Sequence, residues 1–346
     1  MKLASWKLLA IPLMLYVILA GTLIPLKPGI YSYSPSRIVA FKAETIKIQG
    51  YNTHYTQDKT KVWIKMANDR MIPAPIVKVI DQTHLEATFK FSEDFVKLDP
   101  AFANATLIVD TPQDGFSIAP NFRLVESQET SRFGVKLDTY PLSRLTQVDD
   151  FKFPFRQILH ETIRNIFFHV AIWMAMFIIL LVSCYHSIQY LRTGNLASDR
   201  ASASLTSVGL FFGIAGLLTG SMWAKYTWGA FWTNDVKLNM SAIAMLIYFA
   251  YWLLRNSISD IDSRARTSST YNLFAFVALM ILVMVIPRFS DSLHPGNGGN
   301  PAFAGEDLDN TLRAVFYPAI IAYTLIGFWM ANLYNRYLDL EYKSND

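Results

Sequence analysis

The run TIRNIFFHVAIWMAMFIILLVSCY, residues 162–185, contains a single full charge, Arg164. About 20 apolar residues at 1.5 Å per residue cover the roughly 30 Å hydrocarbon core of a bilayer. A segment of this kind has little choice but a spanning helix, because lipid offers its backbone N–H and C=O groups no partners. Comparable runs lie at about 204–224, 236–254, 271–287 and 313–333, and an earlier one, WKLLAIPLMLYVILAGTLIPL, occupies 6–26. The chain is 52% hydrophobic and only 17% charged, which suits a membrane protein and not an ordinary soluble domain. The first run begins like a signal peptide, but it is long and no small-residue cleavage site follows it, so it is read as an anchor. Six spans place both chain ends on one side.

Arginine and lysine decide which side. Lys2 and Lys7 precede the first span, Arg192 and Arg200 fall in the loop 186–203, Arg255, Arg264 and Arg266 fall in the loop 255–270, and Arg336 and Lys343 fall in the tail. The positive-inside rule puts these segments in the cytoplasm and the alternate loops outside. The expected organisation is a first transmembrane helix over 1–26, an extracytoplasmic β-rich domain over 27–158, a five-helix membrane domain over 159–335 and a cytoplasmic tail over 336–346. The setting implied is a bacterial inner membrane, with the large domain on the periplasmic side.

The interval after the first span has a different period. ETIKIQGY at 44–51, KVWIKMA at 61–67, IVKVI at 76–80, HLEATFKF at 84–91, ATLIVD at 105–110 and RFGVKL at 132–137 alternate apolar and polar residues between Pro, Gly, Asn and Asp. That pattern predicts a sandwich or barrel-like β-domain with its own core, and no acidic pair, metal spacing or glycine-rich loop stands out in it. Cys184 is the sole cysteine, so the chain has neither a disulfide nor a CxxCH haem-attachment motif of its own. Its formal charge of +4 is accounted for by inner-loop anchoring and gives no case for nucleic acid.

Candidate chemistry concentrates at the outer ends of the spans. WAKYTWGAFWTND, residues 223–235, holds three of the eight tryptophans, Trp223, Trp228 and Trp232, together with Phe231, and closes on Asp235. An aromatic belt at headgroup level would explain one or two such residues. If the segment is helical, Trp228 and Trp232 share a face, and Asp235 is placed to cap the fourth span. His169 lies two turns inside the second span and His294 lies in the last outer loop, near the tip GNGGN at 296–300. Two imidazoles and a broad aromatic surface suit an iron porphyrin, with two axial nitrogens and ring faces covering the macrocycle. Arg164 and Lys237 are cations at the same depth, suited either to propionates or to lipid phosphates.

The run TGSMWAKYTWGAFWTNDVKL, 219–238, resembles the tryptophan-rich (WWD) signature of the haem-handling cytochrome c maturation family, in its CcmC haem-trafficking branch. IRNIFFHVAIWMAM, 163–176, and IPRFSDSLHPG, 286–296, resemble that branch's two histidine regions. The similarity covers about 160–335. It implies that His169 and His294 are axial ligands of a transiently bound haem b, that Trp223, Trp228, Phe231, Trp232 and Asp235 belong to the haem-presenting outer loop, and that Arg164 and Lys237 stand at family cation positions. It also implies as partners a CcmE-like haem chaperone, a CcmD-like small membrane protein and CcmA/CcmB-like ABC transporter components. This makes haem delivery the expected role, in place of a classical enzyme's turnover. The chain departs from the family pattern in several places. WGAFWTND has Phe231 and Asn234 where the common signature has tryptophans, Ala171 follows Val170 where the family usually has proline, and about 130 residues separate spans one and two. Two other functions stay open at this level. One is a direct haem lyase acting on apocytochrome c. The other is a b-type cytochrome subunit passing electrons from quinol to an outer acceptor, for which His186 alone marks the inner end.

Overall fold

Alternating side chains need a sheet to sort them, and the segment after the first span supplies two. A computed structural model describes residues 5–39, 43–65, 70–89, 104–125, 138–139, 142–148, 150–294 and 308–345. The chain divides into two compact units, Pro25–His160 and the rest.

In Pro25–His160, one sheet orders its strands β1 (Gly29–Ser34), β3 (Glu44–Tyr51), β7 (His84–Phe89) and β6 (Ile76–Val79). The other runs β10 (Asp138–Thr139), β5 (Arg70–Pro73), β4 (Lys61–Lys65), β8 (Asn104–Thr111), β9 (Gly115–Val125) and β2 (Arg37–Val39). All pairings are antiparallel except β2 with β9. Ile46 and Ile48 of β3 and Leu85, Ala87 and Phe89 of β7 are buried against Val62 and Ile64 of β4, Leu107 and Val109 of β8 and Phe122 of β9. One core shared by two sheets is what the period-two pattern demands. The run 61–67 continues past the end of β4 and 84–91 past that of β7, while the expected strand 132–137 lies outside the described residues.

The other unit contains six helices long and apolar enough to cross a membrane. They are α1 (Ser5–Leu23), α2 (Ala171–Thr193), α3 (Leu196–Trp228), α4 (Val236–Ser257), α5 (Ile261–Met280) and α6 (Asn310–Asn345). Several outrun the apolar stretches. α3 begins at Leu196 and not near 204, α5 begins at Ile261 and not near 271, and α6 carries on through the expected tail to Asn345. Hydropathy marks the part of a helix that lipid covers, whereas capping decides where it ends. Asn195 accepts the Ala197 amide, Asp260 that of Ser263, and Asp309 that of Leu312. The loop arginines are also not loop residues: Arg200 lies on α3, Arg255 on α4, and Arg264 and Arg266 on α5. Arg255 grips buried Asp199 through two bonds of 2.7 and 2.6 Å, tying α4 to α3.

α2 packs along α3, with α5 and α6 beside it. Glycines at 209, 213, 216 and 220 give α3 a small-residue face, against which Leu180, Met176, Trp173 and His169 lie in turn. Deeper in the bundle, Asn272 of α5 donates to Ser183 and Ser187 of α2, each at 2.9 Å, and to Ser202 of α3 at 3.2 Å. These bonds fix the register of three helices that apolar packing alone would let slide.

Candidate functional site

The two histidines enter the same unit by similar devices. His169 lies in a π-helical turn, Ile166–Val170, that leads into α2, and α5 ends in another, Ile281–Val285, followed by a 3-10 turn to Phe289 and the loop carrying His294. A π turn inserts a residue into the helix and re-aims the side chains around it, which is why such turns collect at functional positions.

His169 Nδ1 lies 3.0 Å from the carbonyl oxygen of Gly216 and 3.2 Å from Thr219 Oγ1. The Thr219 hydroxyl is directed at the carbonyls of Ala215 and Gly216. A carbonyl only accepts, so Nδ1 carries the proton and Nε2 keeps its lone pair. Gly220 makes room for the ring: a Cβ there would stand 2.6 Å from His169 Cε1. Gly216 clears Trp173 in the same way, with 2.7 Å to its indole nitrogen. Sequence reasoning missed Gly216, Thr219 and Gly220; the signal was the repeated small residue at spacings of four, three and four along α3.

His294 is held by Asp235. Its Nδ1 donates to Asp235 Oδ1 at 2.9 Å, and the Leu293 amide donates to Oδ2 at 2.8 Å. The same carboxylate caps α4 by accepting the amides of Lys237 at 2.9 Å and Leu238 at 3.3 Å. Capping and orientation are therefore one arrangement, and Asp235 is 4% exposed. Burial alone would raise its pKa, but hydrogen bonds from Ser292 and from the Leu293 and Leu238 amides outweigh that and hold it below the usual carboxylate range. Burial pushes the His294 pKa down to about 4, Asp235 opposing the shift and Lys237 adding to it. The ring is neutral at pH 7, with Nδ1–H spent on the carboxylate and Nε2 again unprotonated. Both imidazoles thus have the tautomer that a metal-ligating histidine takes when its other nitrogen is anchored.

The aromatic residues divide into two groups. Trp228 meets the His294 ring edge-on at 4.8 Å, Trp223 lies 5.8 Å from it, and the two indoles are 4.8 Å apart. Phe231 and Trp232 face outward, 59% and 46% exposed. The expected shared face of Trp228 and Trp232 does not exist, because α3 stops at Trp228 and Gly229 turns the chain with φ +84°. Trp223 and Trp228 are helical, so only the second half of the signature is loop. Trp232 is tethered through its Nε1–H to Asn239 Oδ1 at 3.1 Å, and Asn239 in turn donates to Asn234 at 2.9 Å. Asn234, off the common pattern, thus helps to hold the outward indole. The expected flexible tip 296–300 lies outside the described residues.

The two cations also differ in placement. Arg164 donates to the carbonyls of Gly21 and Ile24 at 2.9 and 2.7 Å and pairs with Glu161, joining the start of the second span to the end of α1. Lys237 is in the first turn of α4, where its charge bears on Asp235 and His294.

A family model described as Heme exporter protein C matches residues 152–344. The protein of that name from Bradyrhizobium diazoefficiens is 26% identical over 166 residues, covering 48% of this chain and 62% of the relative. The Paracoccus denitrificans protein is 26% identical over 169 residues, 49% of this chain and 68% of the relative. That of Escherichia coli K12 is 26% identical over 175 residues, 49% and 69%. The chain thus spans less than two thirds of the Bradyrhizobium relative and little more of the other two, and most of the β-domain precedes the matched region.

Proposed function

Because the chain belongs to the heme exporter protein C family, a haem-handling family of cytochrome c maturation, we propose that it binds haem b at the outer face of the inner membrane. His169 and His294 would hold its iron through their Nε2 nitrogens, and the haem would be passed to a CcmE-like chaperone. The observation that carries this reading is the matched preparation of the two imidazoles, each anchored through Nδ1 and each leaving Nε2 free of its proton. The donor set fits the group: two neutral nitrogens for iron, indoles beside one of them, and exposed aromatic rings at the mouth. Bound iron porphyrin would supply the ligand-field bonds, while this chain's residues set the orientation of both rings. Lys237, in the first turn of α4 beside Asp235 and His294, is the better-placed cation for a propionate. The CcmD-like protein and the CcmA/CcmB-like transporter components are the proposed assembly partners.

Absorption spectroscopy of the purified protein supplied with haem tests the reading. A low-spin spectrum typical of two imidazole ligands is expected; a protein that stays colourless overturns it. A narrower prediction concerns the space beside His169. Gly220→Ala places a methyl group where the imidazole edge now lies, so the ring must move by several tenths of an ångström. Haem affinity, read by titration, is expected to fall on the order of tenfold, the loss that follows when a ligand's support is disturbed.

A further inference from the structure

α5 has a second feature, well removed along the helix from the turn that leads to His294. Arg266, Thr267, Thr270, Tyr271 and Phe274 line an outward groove of about 500 Å³. Its residues recur at helical spacing over about 12 Å of axis, polar at the end nearer the helix start and aromatic at the other. Tyr271 and Phe274 meet edge-to-face at 6.0 Å, and Phe274 is 60% exposed.

Arg266 is exposed on the groove, whereas Arg264, two residues earlier, has a buried Nε without a hydrogen-bond partner and does not line it. Arg255 is matched to Asp199 and Arg200 to Asp339. The Arg266 guanidinium has no hydrogen-bond or ion-pair partner among the described residues. Asp262 lies one turn earlier without pairing to it, and Asp260 is taken up by the helix cap. Thr270 spends its hydroxyl on the Arg266 carbonyl at 3.0 Å, and Tyr271 spends its own on the Ile247 carbonyl at 3.2 Å. The groove therefore offers one unmatched cation with the Thr267 hydroxyl beside it, above an apolar wall. Arg266 precedes the apolar stretch that begins near residue 271 by about 7 Å of helix, which places it beside the headgroup level and not among the acyl chains.

We propose that this groove is a site for a phospholipid with an anionic headgroup: the phosphate pairs with Arg266 and Thr267 while the first methylenes of an acyl chain lie along Tyr271 and Phe274. Charge complementarity and the amphipathic order of the groove select this occupant. A neutral partner helix would leave the guanidinium unmatched, and a free phosphate ion would leave the aromatic wall unused.

Native mass spectrometry of the detergent-purified full chain, titrated with phosphatidylglycerol or phosphatidylcholine, provides the test. Phosphatidylglycerol adducts are expected to form preferentially, to fall about fivefold or more in Arg266→Gln, to be kept largely in Arg266→Lys, and to weaken in Phe274→Ala. Arg192→Gln, at an exposed arginine elsewhere, serves as the control and should leave them unchanged. Millimolar inorganic phosphate should not compete. Equal binding of both lipids, equal loss in the Arg192 control, or displacement by inorganic phosphate alone would each overturn the proposal.

Discussion

His294→Ala and His169→Ala are each expected to abolish the bis-imidazole spectrum of the haem-loaded protein and to lower haem retention on purification by a factor on the order of ten or more, since losing a ligand should cost at least what losing its support does. The two losses should differ in kind. His169 is seated in the π turn that leads into α2, with Gly220 of α3 against its ring, so its removal leaves an enclosed space that added imidazole can fill. His294 is on a loop held through Asp235, so its removal also frees the position where Trp223 and Trp228 lean. Imidazole should therefore restore the spectrum of His169→Ala more completely than that of His294→Ala. The depressed pKa of His294 adds a condition. A ring neutral down to about pH 4 keeps Nε2 available as pH falls through the range where an ordinary histidine, near 6.5, gains its proton. Haem binding by the parent protein should consequently be nearly flat between pH 7 and 5. Unchanged spectra in both alanine variants would sink the axial assignment.

The parts of the molecule visible in the sequence are those where one-dimensional pattern and physical cause coincide. Continuous apolar runs became six long helices because lipid allows little else. The alternating run 44–51 became β3 over the same residues, because alternate positions face the shared core. What stayed hidden depends on contacts distant in sequence. Helix ends depend on caps such as Asn195 and Asp260, which extend α3 and α5 beyond their greasy centres. The split of the tryptophan-rich segment depends on Gly229, whose positive φ ends α3 between Trp228 and Trp232. Small residues that open space for a ring look unremarkable in a sequence, yet Gly216 and Gly220 admit Trp173 and His169. Arg164, a cation suited by sequence to propionates or lipid phosphates, also donates to the carbonyls at the end of α1, which need donors, and that contact has no signature along the chain.

Asp235 joins the fold to the site, and its two duties can be separated by substitution. As a helix cap it accepts the Lys237 and Leu238 amides; as an anchor it accepts His294 Nδ1 and the Leu293 amide. Asp235→Ala removes both, and loss of the cap alone costs about 1 kcal/mol. Leaving buried donors unmatched adds about 1–3 kcal/mol, so a clear fall in Tm in detergent is expected. Asp235 has a depressed folded pKa. Its contribution is thus complete above the unfolded carboxylate value near 3.9 and is lost as pH falls through the lower folded value. The Tm gap between parent and alanine variant should be full at pH 7 and shrink only in strong acid. Asp235→Asn keeps an acceptor for the helix cap, because asparagine caps about as well as aspartate. It gives up the negative charge and one of the two acceptor oxygens, so it cannot serve the His294 imidazole and the Leu293 amide as the carboxylate does. The asparagine variant should therefore recover most of the Tm while haem affinity stays about 10–100-fold below the parent's, the range for losing a ligand's hydrogen-bond partner. If asparagine restores both, the carboxylate acts only as a cap, and His294 takes its orientation from Trp223 and Trp228.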